Sequence, residues 1–380
     1  MKIKFVATLL PALAFAAPAI SVQLPAAVQA VRSSDTHIIE FDAPGAATVT
    51  SPACGGSCGT QAFGNNDLGA IVGSYTDVNV VPHGFLRTPN GEFISFDAPA
   101  AGLGANLDEG TVAYSINDFG LTVGEFEDKH RVFHGFVRFW NGSFATFEAP
   151  GAGKGAGQGT LDWSINLEGA TAGVYLDANN VEHGFVRSPW GTITSFDPSG
   201  SVGTMVCQET CLNADGAITG FFPDANGVYH GFLRDPDGNI TVFDPPKSKG
   251  TFAASINFDG TITGYFFDAN SKFHGFLRSR DGVFTSFNVP GQSNAPGEGT
   301  STFSINLFGT VAGEYFDKNS VMHGFSRTAD GIYAKFDAPD AGTGAGQGTR
   351  PSTNNLEGAV TGWVVDANNL NHGFLWEPSL

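Results

Sequence analysis

Short apolar runs separated by polar turns repeat along the chain with a period of 44 to 51 residues. In the copy at residues 115–147, apolar residues alternate with small or polar ones in Leu121–Glu127, His134–Arg138 and Phe144–Phe147. Turn signals such as Asn141-Gly142 separate these runs, and such dipeptides supply the positive φ angles of hairpin turns. The pattern predicts four antiparallel strands in each copy.

Fixed landmarks divide the chain into seven copies. Each copy has Asn-x-x-Gly, and the histidine of Asp-x-x-x-x-x-His-Gly-Phe follows 17 residues after the asparagine. In the first six copies a Phe-Asp pair, with Glu148 and Asn288 as variants of its aspartate, ends 14 residues after the histidine. The copies run between the landmarks Asn66–Asp97, Asn117–Glu148, Asn166–Asp197, Asn213–Asp244, Asn257–Asn288, Asn306–Asp337 and Asn355–Trp376. Constant spacing predicts paired strands, because a slip of one residue turns every side chain to the opposite face. The stretches between copies vary in length and are rich in Gly, Ala and Pro, as surface loops are.

One such sheet buries little apolar surface by itself, whereas sheets packed around an axis share a continuous interior. We therefore predict an all-β fold: a single domain over residues 31–380, forming a seven-bladed β-propeller of four-stranded antiparallel blades. Residues 36–42 form a stray strand before the first copy, and the seventh copy ends at Trp376 without a fourth strand. We expect the N-terminal strand to close the last blade, which removes an open edge. A parallel β-helix or open solenoid is the alternative, and it would leave this strand unpaired.

The first thirty residues have the order of a secretory signal peptide. Two lysines precede the apolar run Phe5–Ala19, and the small-residue segment Val28–Ala30 follows. This order predicts a signal peptide over residues 1–30 cleaved after Ala30, with a cut after Ala19 as the alternative. No other stretch is long and apolar enough for a spanning helix. We expect a secreted or periplasmic protein without membrane insertion.

The composition narrows the class of partner. Removal of Lys2 and Lys4 leaves 17 basic residues against 37 acidic ones, a net charge of 17 − 37 = −20. Nucleic acids and anionic lipid surfaces are disfavoured, because they bind basic surfaces. Neutral glycans, divalent cations and basic patches on proteins remain open as partners, and we expect the chain to be a monomer.

The four cysteines form two pairs with three residues between them, Cys54/Cys58 and Cys207/Cys211. In an exported protein such pairs indicate disulfides more than metal ligands. Cys211 falls inside a predicted strand, where four residues of extended chain span about 13 Å, too far for a disulfide. The second pair therefore requires a loop or bulge, or else Cys207 is unpaired.

The sequences HGFLR, HGFVR and HGFSR resemble the core of the HAF family of extracellular repeat proteins, named for His-Ala-Phe. The resemblance covers about residues 36–376. Here the middle residue is Gly throughout, and the period is longer than the usual unit of the family. The resemblance implies an exported repeat protein of unassigned activity.

Each copy is predicted to carry a row of Asp, His and Asp. Pairing the hairpins about their turns puts Asp77 opposite His83, and His83 opposite Asp97. The equivalent histidines are His134, His183, His230, His274, His323 and His372, and the preceding aspartates are Asp128, Asp177, Asp224, Asp268, Asp317 and Asp366. A histidine flanked by carboxylates suits acid/base chemistry or metal binding. Because this row recurs in every copy, we predict a structural hydrogen-bond network, similar to that of WD-repeat propellers, and no catalytic residue.

Other residues have two interpretations each. The turns at Asp177, Asp224, Asp268 and Asp366 resemble fragments of a calcium loop, but they lack its alternating ligands and its final Glu. We therefore predict that these aspartates are turn residues and that the protein has no cofactor. Weak calcium binding at the four turns is the alternative.

Arginines follow the motif histidines by four residues, as Arg87 and Arg138 do. They are predicted either to form a ring that binds anions, or to stack on neighbouring Phe rings or form salt bridges between units. Trp140, Trp163 and Trp190 are expected to be exposed, and they either stack on a sugar ring or cap the core.

No nucleophile elbow, phosphate-binding loop or zinc signature occurs. The leading functional prediction is a non-enzymatic binding or scaffold module with a glycan or an envelope protein as partner. The alternatives are an extracellular polysaccharide lyase or hydrolase and a multivalent lectin. An enzyme requires one copy to break the pattern with its own acid/base pair, and the landmarks show no such copy.

Overall fold

The computed structural model describes residues 31–32, 37–56, 58–105, 109–206 and 210–378. The described residues are almost entirely strands and turns, and the one helical element among them is a 3-10 turn at Pro52–Cys54. The predicted signal peptide at 1–30 lies outside the described residues. No helix in the described part of the chain is long and apolar enough to cross a membrane.

Consecutive strands pair into antiparallel units of four. The strands of the first three units are Gly59–Asn65, Ile71–Thr76, Pro82–Arg87, Phe93–Phe96; Gly110–Ile116, Thr122–Glu127, Phe133–Arg138, Phe144–Phe147; and Gly159–Ile165, Thr171–Leu176, Glu182–Arg187, Ile193–Phe196. The strands of the next three are Met205–Val206, Ile218–Pro223, Tyr229–Arg234, Ile240–Phe243; Gly250–Ile256, Ile262–Phe267, Phe273–Arg278, Phe284–Phe287; and Thr300–Ile305, Val311–Phe316, Met322–Arg327, Tyr333–Phe336. The last unit has Gly348–Asn354, Val360–Val365 and Asn371–Glu377.

The leading strand completes the last unit, as the sequence predicted. His37–Phe41 pairs antiparallel with Asn371–Glu377, with Phe41 opposite Gly373. A further short strand, Val31–Arg32, pairs in parallel with the outer strand Tyr333–Phe336, and the landmarks gave no sign of it. The sequentially remote ends of the chain therefore form one sheet, and its edge is covered.

The asparagines of the Asn-x-x-Gly turns connect neighbouring units. Each side chain donates from Nδ2 to the backbone carbonyl of the next asparagine along the chain, through Asn66, Asn117, Asn166, Asn213, Asn257, Asn306 and Asn355, at 2.9–3.2 Å. Asn355 donates in turn to the carbonyl of Asn66 at 3.3 Å. These seven hydrogen bonds form a closed circuit, so the first strands of the units surround a common axis.

The hydrophobic core lies between units. The phenylalanine of each His-Gly-Phe motif has no exposed surface: Phe85, Phe136, Phe185, Phe232, Phe276, Phe325 and Phe374. Several of these rings meet the outer-strand phenylalanine of the preceding unit edge to face, as Phe136 does with Phe96 at 6.4 Å. Phe85 meets Phe41 of the leading strand in the same way at 6.4 Å. The core therefore continues across the junction between the first and last units.

Candidate functional site

In the first six units, the motif histidine bonds the side chain fourteen residues after it. The Nδ1 atom donates to a side-chain oxygen at 2.7–3.0 Å in the pairs His83–Asp97, His183–Asp197, His230–Asp244, His274–Asn288, His323–Asp337 and His372–Asp42, and His134 bonds Glu148. In the last unit, Asp42 comes from the leading strand. The other ring nitrogen, Nε2, lies 3.4–3.9 Å from the preceding aspartate in all seven units.

The predicted register of the preceding aspartate is wrong by two residues. His83 lies opposite Tyr75, not Asp77, and the two rings stack at 5.1 Å. Asp77 instead closes the turn, where its Oδ1 accepts hydrogen bonds from the backbone N–H groups of Asn79 and Val81, both at 2.9 Å. The turn therefore needs Asp77 as a hydrogen-bond acceptor. Its other carboxylate oxygen, Oδ2, lies 3.9 Å from Nε2 of His83.

The same turn chemistry occupies the four aspartates considered for calcium. In Asp177, Asp224, Asp268 and Asp366, one carboxylate oxygen accepts two backbone N–H groups of the turn. In the described ranges, no group of three or more His, Cys, Asp or Glu side chains is arranged to hold a metal ion. The turn interpretation accounts for all four residues.

Pairing with carboxylates shifts the pKa of four of the motif histidines. Hydrogen bonding to a carboxylate raises the pKa of His83, His134, His323 and His372 above the ordinary value, against the opposing effect of burial. Backbone hydrogen bonds from Val181 and Asn179 lower the pKa of Asp177. Equivalent rows occur in every unit, whereas a catalytic centre needs only one.

The arginines stack between units. Each guanidinium lies 4.6–5.2 Å from the ring centre of the outer-strand phenylalanine of the preceding unit, in the pairs Arg87–Phe41, Arg138–Phe96, Arg187–Phe147, Arg234–Phe196, Arg278–Phe243 and Arg327–Phe287. Desolvation on burial lowers the pKa of Arg87, Arg138, Arg234 and Arg278. The stacking interpretation therefore describes the position of all six arginines.

The last unit departs from this pattern, and a cavity lies between it and the sixth unit. Trp376 takes the place of the arginine and stacks on Phe336, with ring centres 4.5 Å apart. Its indole is 1% exposed, and its Nε1 atom has no hydrogen-bond partner. Ser326 stands where most other units have Leu or Val. Both residues line a cavity of about 320 Å³ between the last two units.

Polar groups surround the entrance of this cavity. Thr328, Asp330 and Glu357 line it with exposed side chains, and Ile332 and Pro378 add apolar surface. The hydroxyl groups of Ser326 and Thr328 and the carboxylates of Asp330 and Glu357 suit a small ligand with several hydroxyl groups. We call this cavity the Trp376 cavity.

The three tryptophans singled out for ring stacking have different environments. Trp140 is 77% exposed and Trp190 is 93% exposed, both on turns between third and fourth strands. Trp163 is only 6% exposed, and its Nε1 donates to Glu125 at 3.0 Å. The expectation that Trp163 is exposed is wrong, because its indole packs in the hydrophobic core and bonds Glu125 of the second unit.

Cys54 and Cys58 form the predicted disulfide, with Cα atoms 5.3 Å apart. The bridge packs against Val80 of the first unit and Leu370 of the last. Cys207 lies outside the described residues, and so does its predicted bond to the buried Cys211. The disulfide that is present therefore stabilises the junction between the first and last units.

No protein-family model matches the chain, and no curated protein matches its sequence. Solved structures do match. A streptogramin B lyase is 13% identical, with a TM-score of 0.54, over 90% of this chain and 97% of the lyase. The BP39L lectin of Burkholderia pseudomallei is 9% identical, with a TM-score of 0.51, over 82% of this chain and 94% of the lectin.

A puromycin hydrolase is 12% identical, with a TM-score of 0.52, and the match spans 84% of this chain and 52% of that protein. At these identities the likeness shows the fold alone. The chain is an all-β protein whose structural neighbours are β-propellers.

Proposed function

We propose that this chain is an exported, seven-bladed β-propeller that binds carbohydrate without transforming it, and that the Trp376 cavity holds one sugar residue. The observation that carries this proposal is the cavity of about 320 Å³ between the last two units, whose lining combines Ser326, Asp330 and Glu357 with the apolar residues Ile332 and Pro378. A sugar presents C–H groups to apolar side chains and hydroxyl groups to protein hydroxyls and carboxylates. The cavity offers both kinds of surface.

The seven-bladed architecture is supported by two observations. The asparagine circuit has seven members, and the leading strand supplies the fourth strand of the last unit. Export is supported by the Cys54–Cys58 disulfide. Sequencing the N-terminus of the exported protein tests it, and Val31 is the expected first residue. Membership of the HAF repeat family is proposed on the His-Gly-Phe motifs alone.

A neutral glycan fits the charge of the chain. The whole sequence carries a formal net charge of −18, and Asp330 and Glu357 stand at the entrance of the cavity. A polyanionic glycan is therefore repelled. A lectin is among the structures with the same fold, which is consistent with a carbohydrate ligand.

A multivalent lectin with equal sites is less well supported. In the other units, an arginine stacked on phenylalanine stands where Trp376 stands in the last one. We therefore expect one principal site in each chain.

Titration calorimetry of the full chain with ligands chosen from a neutral glycan array tests the proposal. One equivalent is expected. Two substitutions restore the residues of the other units: Trp376→Arg and Ser326→Leu. Each fills or alters the cavity with a side chain that the fold already accommodates elsewhere, and each is expected to weaken binding at least tenfold.

Trp190→Ala is the matched control, because Trp190 is exposed on a different unit and is expected to leave affinity unchanged. Loss of binding in Trp190→Ala with full binding in Trp376→Arg moves the site to the exposed tryptophans. Several equal binding equivalents indicate a multivalent lectin. Absence of binding to every neutral glycan rejects the proposal and leaves an envelope protein as the partner to seek.

A further inference from the structure

The Asn-x-x-Gly turns bring apolar and acidic side chains together around the axis of the molecule. Over the seven turns, the two positions between Asn and Gly hold seven Leu or Phe residues, six acidic residues and one Ala, and none of them is basic. The asparagines form a closed circuit, so all seven turns lie at one end of the axis. We call the surface formed by these turns the axial face. Its acidic residues are Asp67, Asp118, Glu168, Asp215, Asp259 and Glu357.

Large apolar side chains of the axial face are exposed. Phe119 and Phe308 are each 67% exposed, and Leu68 is 66% exposed. Trp140, which is 77% exposed, extends this surface outward in the second unit, where a Cβ on Gly120 would lie 3.5 Å from the Trp140 Cβ. Apolar residues scattered singly over a surface are ordinary, whereas a group of them at one end of a protein marks an interaction surface.

A cavity of about 220 Å³ lies at the centre of the axial face. Asparagines of the circuit line it, together with the side chains of Leu167 and Leu307 and the carboxylates of Asp67 and Asp118. We call this space the axial cavity. It combines carboxylates with apolar walls at the point where the seven units meet.

The two carboxylates of the axial cavity are fixed by the backbone of neighbouring turns. Asp118 Oδ1 accepts from the N–H of Asp67 at 2.9 Å, and Asp67 Oδ1 accepts from the N–H of Leu356 at 2.7 Å. Burial raises the pKa of Asp67, the negative charges of Asp118 and Glu357 raise it further, and the hydrogen bond from Leu356 acts in the opposite sense. A cation placed beside these carboxylates relieves their mutual repulsion.

The turns between third and fourth strands lie at the same end of the molecule, because the strands of each unit are antiparallel. In the turns at 88–92, 139–143, 188–192, 235–239, 279–283 and 328–332, five residues are acidic and only Arg280 is basic. The motif arginines stack on phenylalanine between units. The surface around the axial cavity is therefore acidic as well as apolar.

We propose that the axial face binds a basic peptide segment of another protein, one that contains both lysine or arginine and large apolar residues, and that one of its cationic side chains enters the axial cavity beside Asp67 and Asp118. Charge complementarity selects the basic segment over a neutral or acidic one. The exposed Phe and Leu side chains supply the apolar area, and they belong to several turns, which a peptide can span. A cation that leaves water needs a paired charge, and the two carboxylates provide it.

The axial face is a second surface, distinct from the proposed carbohydrate site. It adjoins the Trp376 cavity at Glu357, which lines that cavity. Asp118 and Phe119 belong to the second unit and are not among the residues that line the Trp376 cavity. Substitutions at these two residues therefore test the axial face alone.

Fluorescence anisotropy with labelled, capped peptides and the full chain tests the proposal. The probe has the sequence KFLKKFLK, and the two control peptides are EFLEEFLE, which reverses the charge, and KSSKKSSK, which removes the apolar side chains. The wild type is expected to bind the probe, to bind KSSKKSSK at least tenfold more weakly, and not to bind EFLEEFLE. No binding of the probe, or equal binding of KSSKKSSK, overturns the proposal.

Asp118→Asn tests the charge of the axial cavity. The substitution keeps an oxygen acceptor for the N–H of Asp67 and removes one negative charge, and it is expected to weaken binding of the probe at least fivefold. Asp340→Asn is the matched control, because Asp340 is exposed after the fourth strand of the sixth unit, at the other end of the sheets. Its affinity is expected to stay within twofold of the wild type. Equal losses in both variants indicate general attraction to an acidic protein and overturn the proposed site.

Phe119→Ser tests the apolar part of the axial face and is expected to weaken binding of the probe at least fivefold. Val78→Ser is its control, because Val78 is 74% exposed on a turn at the other end of the sheets. Full binding in Phe119→Ser, or an equal loss in Val78→Ser, overturns the proposal. Ser326→Leu is expected to bind the probe as the wild type does, so failure of the carbohydrate-binding proposal and failure of this one are observed separately.

Discussion

Asn355 donates a hydrogen bond from its side-chain Nδ2 to the backbone carbonyl of Asn66, 3.3 Å away and 289 residues earlier in the chain. The same side chain accepts a hydrogen bond from the N–H of Ala359 at 2.9 Å. One buried amide therefore fixes its own turn and joins the last unit to the first. Its six equivalents make the same bond between units that are neighbours in sequence.

Replacing Asn355 with Ala should destabilise the fold. Both hydrogen bonds are lost, and the carbonyl of Asn66 and the N–H of Ala359 lose buried partners, for a cost of about 1–3 kcal/mol. Denaturant unfolding measures this loss. Asn79→Ala is the control, because the Asn79 side chain bonds only the exposed Asp77 carboxylate, and a change within about 0.5 kcal/mol is expected. Equal stabilities of the two variants would contradict the role of the circuit.

The leading strand should be needed for a closed, monomeric structure. A chain that begins at residue 43 lacks the partner of Asn371–Glu377 and the Phe41 ring under Arg87. The unpaired edge can then bond a second chain, so we expect a lower melting temperature and larger species in size-exclusion chromatography. A chain that begins at residue 37 keeps the strand and should behave as the full-length protein. Monomeric, equally stable protein from both chains would refute this.

The constant landmark spacing was sufficient to predict the strands and the closing role of the leading strand. Spacing alone did not give the register at Asp77, because that turn holds five residues from Asp77 to Val81, with Val80 at a φ of 63°. The turn length places Tyr75, and not Asp77, opposite His83.

The candidate sites were missed because they depart from the repeat, and the landmarks describe only what recurs. The replacement of an arginine by Trp376 is visible when the units are compared position by position, but such a comparison does not show the cavity beside it. It would not have shown the contact between Trp163 and Glu125. That contact joins two different units, and spacing within one copy does not specify which side chains meet across the gap between copies.

Stability should fall as the pH rises above the range in which the histidines are charged. Pairing with Asp97 and Asp337 raises the pKa of His83 and His323 in the folded state. The stabilisation is therefore complete below the unfolded value of about 6.5 and is lost as the pH passes through the higher folded value. Thermal melts from pH 5.5 to pH 9 measure the decline.

Asp337→Asn keeps an oxygen acceptor for His323 but removes the charge that raises its pKa. We expect a shallower decline of melting temperature with pH in this variant than in the wild type. A steeper or unchanged decline would show that the ion pair does not set the pH dependence.

The second strand of each unit should tolerate no side chain at its glycine. A Cβ on Gly264 would lie 2.1 Å from the backbone oxygen of Phe252 and 2.9 Å from both the Ala253 Cα and the Phe276 ring. Two of these atoms belong to the backbone of the adjacent strand, so the strands must separate, and we expect Gly264→Ala to cost about 3 kcal/mol. Gly203→Ala is the matched control, because the nearest atom to its added Cβ is the Glu182 Oε2 at 4.0 Å. Denaturant midpoints of the two variants test the prediction: a midpoint for Gly264→Ala close to that of Gly203→Ala would mean that the first and second strands are not held together as tightly as the contacts require.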